Sequence, residues 1–243
     1  MKKTISLNMK FWHDGQEDST RTRNVIYCWN DLKKLNTFIN NHSINFNSSC
    51  YLFDFSPEKI IDDAIHIPYP IGEYKKAEKT NIILKQYVNN LNYFMMFDSD
   101  TFFDSQDYDA LVKIIDNLEK NDIITFDAAK LDDINNCFID NIFNRTNANW
   151  NYAYSGAKEN GPLNGYRGGL GGVYIIDTSI LLNLDGFDEK YIGWGGEDGE
   201  MMNRIYNSGF LNNIKPQKDI APFHMPHFCD YGNDKYYQRF KDE

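Results

Sequence analysis

Apolar positions in the first half of this chain switch repeatedly between a strand-like and a helix-like spacing. Residues 4–11 (TISLNMKF) read as a strand. Apolar side chains at 25, 28, 29, 32, 35, 38 and 39 then form the stripe of a helix over residues 24–41. Residues 50–55 (CYLFDF) form a buried strand ending in Asp54, and residues 64–69 a short one stopped by Pro68 and Pro70. A helical stripe at 84, 87, 88 and 91 lies within residues 75–91. Residues 93–97 (YFMMF) form a strand, residues 108–120 a helix with its stripe at 111, 114, 115 and 118, and residues 122–127 another strand. Strands that alternate with helices predict an α/β fold, with a mostly parallel sheet and helices on its faces.

The second half reads differently. Residues 141–172 are rich in Asn, Gly and Tyr and read as loops. A strand resumes over 171–177, followed by a short helix over 177–184 with Asp177 or Thr178 as its cap. The last predicted helix spans 198–209 and ends at Gly209. No internal repeat or linker interrupts the chain, so one domain over residues 1–243 is expected.

Composition removes some classes of function. The 243 residues carry a formal net charge of −10, which excludes the basic footprint of a nucleic-acid binder. No stretch is apolar for long enough to span a membrane, and no long apolar segment follows Lys2 and Lys3, so neither a transmembrane segment nor a signal peptide is expected. Cys28, Cys50, Cys137 and Cys229 show no metal-binding spacing and read as reduced thiols. Sequons at Asn41, Asn47 and Asn144 carry little weight in so Asn-rich a chain. A cytoplasmic location is expected, with peripheral contact to the inner face of a membrane left open.

Chemistry enters where the apolar strand at 93–97 runs into Asp98-Ser99-Asp100. Ligands of open α/β sheets sit beyond the carboxyl ends of the strands. On extended backbone, residues i and i+2 point the same way, so both carboxylates would converge on one site. Unpaired they would repel each other. A hard divalent cation, Mg²⁺ or Mn²⁺, removes that conflict and can hold a diphosphate. A water-exposed acidic corner is the alternative.

Residues 186–205 read GFDEKYIGWGGEDGEMMNRI. Gly193, Gly195 and Gly196 flank Trp194, so the backbone can approach a ligand and the loop can move. Trp194 suits a sugar-stacking platform better than a core position. Glu197 and Asp198 open a helix, where the backbone dipole favours carboxylates. Asp198 is therefore either a simple helix cap or a functional carboxylate. His224 and His227, three residues apart, are either loop histidines without a role or imidazole ligands for a metal.

Together these segments resemble the inverting GT-A glycosyltransferases, most of all the β-1,4-galactosyltransferase group and the bacterial chondroitin-synthase-type transferases. The resemblance rests on Asp98-Ser99-Asp100, Gly168-Gly169-Leu170-Gly171-Gly172, Gly186-Phe187-Asp188-Glu189 and Gly193-Trp194-Gly195-Gly196-Glu197-Asp198, and covers roughly residues 50–230. It implies a nucleotide-binding half over about 1–127 and an acceptor half over about 128–243. By resemblance, Asp100 is a direct metal ligand, and Asp98 lies near the metal and the ribose. Asp198 is the general base, Glu197 bonds a sugar, and Trp194 with Gly195 covers the donor. His227 and His224 complete the metal site, and the mixed oxygen and imidazole set favours Mn²⁺ over Mg²⁺. Asp54 matches a base-contacting position. Arg21, Arg23, Lys79 and Asn81 are further nucleotide-pocket candidates, the last two where relatives often carry Arg-Asn.

The activity implied is metal-dependent, inverting transfer of a hexose or N-acetylhexosamine from a UDP-sugar to a hydroxyl of a glycan or lipid-linked glycan. Alternatives are a retaining GT-A transferase, a sugar nucleotidyltransferase, or an inactive UDP-sugar- or carbohydrate-binding protein. The nucleotidyltransferase reading lacks its expected Gly-rich N-terminal loop with a basic residue.

Overall fold

The computed structural model describes residues 2–12, 19–71, 75–88, 91–131, 138–139, 142–143, 150–152, 170–192, 196–217 and 219–225. In chain order the strands are β1 (Lys3–Trp12), β2 (Phe46–Phe55), β3 (Ile65–His66), β4 (Tyr93–Asp98), β5 (Thr101–Phe102), β6 (Ile123–Phe126) and β7 (Ala129–Leu131). Then come β8 (Phe138–Ile139), β9 (Ile142–Phe143), β10 (Trp150–Tyr152), β11 (Val173–Asp177), β12 (Ile214–Gln217) and β13 (Phe223–His224). The helices are α1 (Ser19–His42), α2 (Lys76–Tyr87), α3 (Tyr108–Asp116), α4 (Thr178–Asn183) and α5 (Glu197–Asn207).

A seven-stranded sheet in the order β12-β6-β11-β4-β1-β2-β3 forms the centre. Only β11 runs against its neighbours, pairing antiparallel with both β4 and β6. The other pairings in this sheet are parallel, as expected for strands joined through helices. The direction of β11 was not legible beforehand, because hydrophobic spacing is the same in either orientation.

Successive side chains of a strand point to opposite faces, and β4 divides its residues accordingly. Tyr93, Met95 and Phe97 join the core under α1 and α3, with Val25, Leu32, Leu111 and Ile115. Phe94 and Met96 join the core under α2, α4 and α5, with Leu84, Leu181 and Met201. Both faces of β4 are thus dry, and its first half-buried group is the terminal Asp98.

Several boundaries move relative to the sequence pattern. Strand β2 starts at Phe46 because polar Asn47 and Ser49 point outward while Phe46 and Ser48 are buried. The run at 64–69 contributes only Ile65–His66 to the sheet. Asp177, rather than Thr178, caps α4 by accepting from the backbone N–H of Ser179 at 2.9 Å. Gly209 lies just past α5 with φ +85°, where a left-handed residue ends a helix. Cys28 is buried, Cys50 is half-buried, and both are free thiols. Cys137 and Cys229 lie outside the described residues.

A second sheet is ordered β10-β7-β13-β5. In it His224 pairs with Thr101, and the N–H of Met225 donates to the carbonyl of Asp100 at 2.8 Å. The chain that follows Asp100 is therefore stitched to the chain that carries His224.

Two ties hold this framework and can be tested. Asn81 accepts from the N–H of Phe187 at 2.8 Å, and its amide donates to the carbonyl of Phe187 and to Glu189, so α2 grips the 186–189 turn. Gly186 in that turn has φ +72°, and a Cβ there would sit 2.3 Å from Asn81 Oδ1. Gly186→Ala is expected to destabilise the protein by ~2 kcal/mol or more, read as a lower urea midpoint. The second tie is Asp31 on α1, which accepts from the Tyr108 hydroxyl at 2.9 Å. Burial pushes the Asp31 carboxyl up to about 7, against the bond from Tyr108 and the charge of Lys34, while Asp104 adds to the rise. The folded state therefore holds a proton that the unfolded chain has released. Stability should fall as pH rises from about 4 to about 7, and Asp31→Asn should reduce that slope by up to ~1.4 kcal/mol per pH unit in denaturation curves.

Candidate active site

At the carboxyl end of β4 three separate segments converge. Asp98 closes the strand: its N–H donates to the carbonyl of Gly172 at 2.9 Å, and its Oδ2 accepts from the N–H of Gly172 at 3.1 Å. Helix α5 supplies Glu197 and Asp198 from its first turn. Its N-cap is Gly196, at φ +98° and with no side-chain cap bond, so Asp198 does not serve as the simple cap. Helix α2 supplies Lys76 as its first residue.

The Lys76 ammonium lies 2.8 Å from Asp198 Oδ2, 3.5 Å from Glu197 Oε1 and 3.8 Å from Asp98 Oδ1. Asp198 Oδ1 is buried and has no hydrogen-bond partner among the described residues. Gly171 lies alongside, where a Cβ would come 3.5 Å from Asp198 Oδ2. Glu197 is 2% exposed. Burial raises its carboxyl above the ordinary value, Lys76 opposes the rise, and Asp198 adds to it. The desolvation cost therefore outweighs the nearby ammonium.

Lys10 on β1 sits in register with Asp98 and donates to the Thr80 hydroxyl at 3.0 Å. Burial lowers its ammonium to about 8, helped by Lys76 and opposed by Asp98, Asp198 and Glu197. Neither Lys76 nor Lys10 stood out in the sequence. In the run KKAEKTN, Lys79 and Asn81 drew attention, and only the start of α2 at Lys76 decides which lysine faces the carboxylates.

Extended backbone would aim Asp98 and Asp100 the same way. The strand instead ends at Asp98, and Asp100 lies in the turn beyond it. Asp98 consequently faces Lys76, while Asp100 Oδ1 lies 3.6 Å from His224 Nε2. An oxygen beside an imidazole nitrogen suits Mn²⁺. No group of three or more His, Cys, Asp or Glu side chains forms a metal cage among the described residues. His227, Trp194 and Gly195 lie outside them, as do Gly168 and Gly169.

The nucleotide-pocket candidates take varied places. Asp54 ends β2, fully buried, and its Oδ2 caps the following loop by accepting from the N–H groups of Ile60 at 2.7 Å and Ile61 at 3.1 Å. Its Oδ1 is buried without a hydrogen-bond partner among the described residues. Lys79 is buried over the rings of Tyr69 at 4.0 Å and Trp12 at 5.1 Å, and burial lowers its ammonium to about 8. Asn81 is engaged with the 186–189 turn. Arg23 is exposed and Arg21 half-buried near the start of α1.

Residues 151–227 match a family described as the N-terminal domain of galactosyltransferase. Over 76 residues the chain is 37% identical to human β-1,4-galactosyltransferase 2. That match spans 31% of this chain and 20% of the human protein. Among solved structures, the catalytic domain of Drosophila β1,4-galactosyltransferase 7 in complex with xylobiose superposes with TM-score 0.52 at 11% identity, over 90% of this chain and 67% of that one. GalNAc-T7 with UDP, GalNAc and Mn²⁺ superposes with TM-score 0.56 at 14% identity, over 93% of this chain and 44% of that one. Over residues 151–227 the chain is similar to galactosyltransferases. Its fold is that of the GT-A glycosyltransferases, with β4 and α5 at the centre of the site. No helix among the described residues is long and apolar enough to cross a membrane.

Proposed function

We propose that this chain is a metal-dependent, inverting glycosyltransferase that moves a hexose or N-acetylhexosamine from a UDP-sugar to a hydroxyl of a glycan acceptor. The observation that carries the reading is the carboxylate of Asp198, which shares the Lys76 ammonium with Asp98 at the end of β4 and has one oxygen unpartnered among the described residues, inside the galactosyltransferase-matched segment. Support also comes from GalNAc-T7, solved with UDP, GalNAc and Mn²⁺, and from a mutant of the Drosophila enzyme solved with manganese, UDP-Gal and xylobiose.

Asp100, His224 and His227 would hold Mn²⁺, which when bound would offset charge on the departing diphosphate. The chain's own residues do the rest. Asp198 accepts the proton of the acceptor hydroxyl as that oxygen attacks the anomeric carbon from the face opposite UDP, the geometry of inversion. Glu197 bonds a sugar hydroxyl. Asp98 would lie near the metal and the ribose, and Asp54, its buried carboxylate bonded to the N–H groups of Ile60 and Ile61, would back the base. Trp194 and Gly195, which lie outside the described residues, would cover the donor sugar and exclude water. Arg23, Lys79 and Asn81 stay in the proposal as residues bordering the nucleotide half rather than as direct donor contacts.

Two experiments test the reading. Calorimetric titration of UDP should give binding with Mn²⁺ present and a loss of at least ~10-fold in affinity with EDTA; no binding in either condition overturns the UDP-sugar reading. Asp198→Asn should lower transfer by ~100-fold or more while UDP affinity persists, measured by UDP release with donor and acceptor. Near wild-type transfer in that variant would remove Asp198 from the role of base.

A further inference from the structure

Among the described residues, the hydrogen bond to the Asp198 carboxylate comes from outside α5. The group that donates it is Lys76, at the start of α2 and 122 positions away in sequence. Its 2.8 Å bond goes to Oδ2, while Oδ1 is buried without a hydrogen-bond partner among the described residues. The same ammonium stands between the carboxylates of Asp98 and Glu197. An ammonium has three N–H groups and no acceptor, so it can face three carboxylates without repelling any of them.

Lys76 is itself fixed from behind. Thr80 Oγ1 donates to the carbonyl of Lys76 at 2.8 Å, and Lys10 Nζ donates to that hydroxyl at 3.0 Å. The backbone that carries Lys76 is thus tied to β1, the strand beside β4. The chain of contacts runs from the sheet through Lys10 and Thr80 to Lys76, and from Lys76 to Asp198.

We propose that Lys76 is the positioning residue for Asp198: it holds Oδ2 and so fixes the rotation of the carboxylate that takes the acceptor proton. This rests on the reading of Asp198 as the base. Lys76 touches neither the reacting proton nor the anomeric carbon in this scheme; it acts through the orientation of Asp198. A purely structural lysine would hold α2 to α5 and affect every ligand alike. A positioning lysine affects the turnover step and leaves nucleotide binding largely unchanged.

The test compares Lys76→Met and Lys76→Arg with the wild-type chain. Three readouts are taken: kcat for transfer, calorimetric UDP affinity in Mn²⁺, and the crystal structure of the Lys76→Met protein. Lys76→Met should lower kcat by ~100-fold, the scale of a misplaced catalytic group, with its Asp198 carboxylate rotated from its place beside α2. UDP affinity should stay within about threefold, the split that marks an interaction needed only in turnover. Lys76→Arg, which keeps a cationic donor, should recover at least ~10-fold of the lost kcat. Should Lys76→Met fail to fold, Lys76→Gln carries the same comparison. The proposal is overturned if Lys76→Met transfers sugar at near wild-type kcat, if kcat and UDP affinity fall in step, or if its Asp198 carboxylate stays in place. A wild-type chain that transfers no sugar from any UDP-sugar would instead overturn the assigned function, and the inference with it.

Discussion

Strand β4 is buried on both faces, so the chain can place charge on it only where it ends. Helices α1 and α3 cover one side and α2, α4 and α5 the other, which leaves no wet surface between Tyr93 and Phe97. Asp98 follows immediately. The remaining site is organised around that boundary: β1 brings Lys10 into register with it, the Gly172 backbone clasps it on both sides, and two helices deliver Lys76, Glu197 and Asp198 beside it. A carboxylate at a dry strand end needs partners, and the structure supplies them from segments far apart in sequence.

These charges balance one another closely. Glu197 is nearly sealed from water, and its raised carboxyl shows that one ammonium does not fully offset the cost of burial. Lys76 remains the main favourable partner for that cluster. Removing one member of a buried ion pair costs about 3–5 kcal/mol, far more than an exposed pair contributes. The surface pair of Lys33 with Asp63 and the helical pair of Arg204 with Glu200 belong to the weaker class. Structural weight and candidate chemistry therefore coincide at Lys76, and function and stability draw on the same contacts.

Much of this was legible in the sequence, and the gaps have physical causes. The apolar periods revealed β1, β4, β6, α1 and α3 because each packs a face or stripe against the core. The first half of β2 escaped because Asn47, Ser48 and Ser49 carry no apolar signal, although Phe46 anchors the strand. Asp98, Asp100, Glu197, Asp198 and His224 could be picked out because carboxylates and imidazoles stand out at strand and helix ends. Lys76 could not: two lysines adjoin in the run KKAEKTN, and which one faces inward depends on the residue at which the helix starts. The pairing of β5 with β13, which brings His224 to Asp100, involves strands of two residues each. Such short pairings leave no periodic trace.

The reversed strand also sets the order in which the sheet can be completed. In the large sheet β6 touches only β11 and β12, and β11 stands between it and β4. A chain leaving the ribosome can join β1, β2, β3 and β4 as soon as those segments emerge, but β6 has no place to dock until β11 has been made. Until then one side of β4 and both sides of β6 are open edges, the kind of backbone that pairs with other chains if left uncovered. The segment that carries β1 to β6 therefore lacks the strand that joins β6 to the rest of its sheet. Its last strand waits for the galactosyltransferase-matched segment, and a truncation placed between the two halves would leave an adhesive sheet rather than a smaller protein.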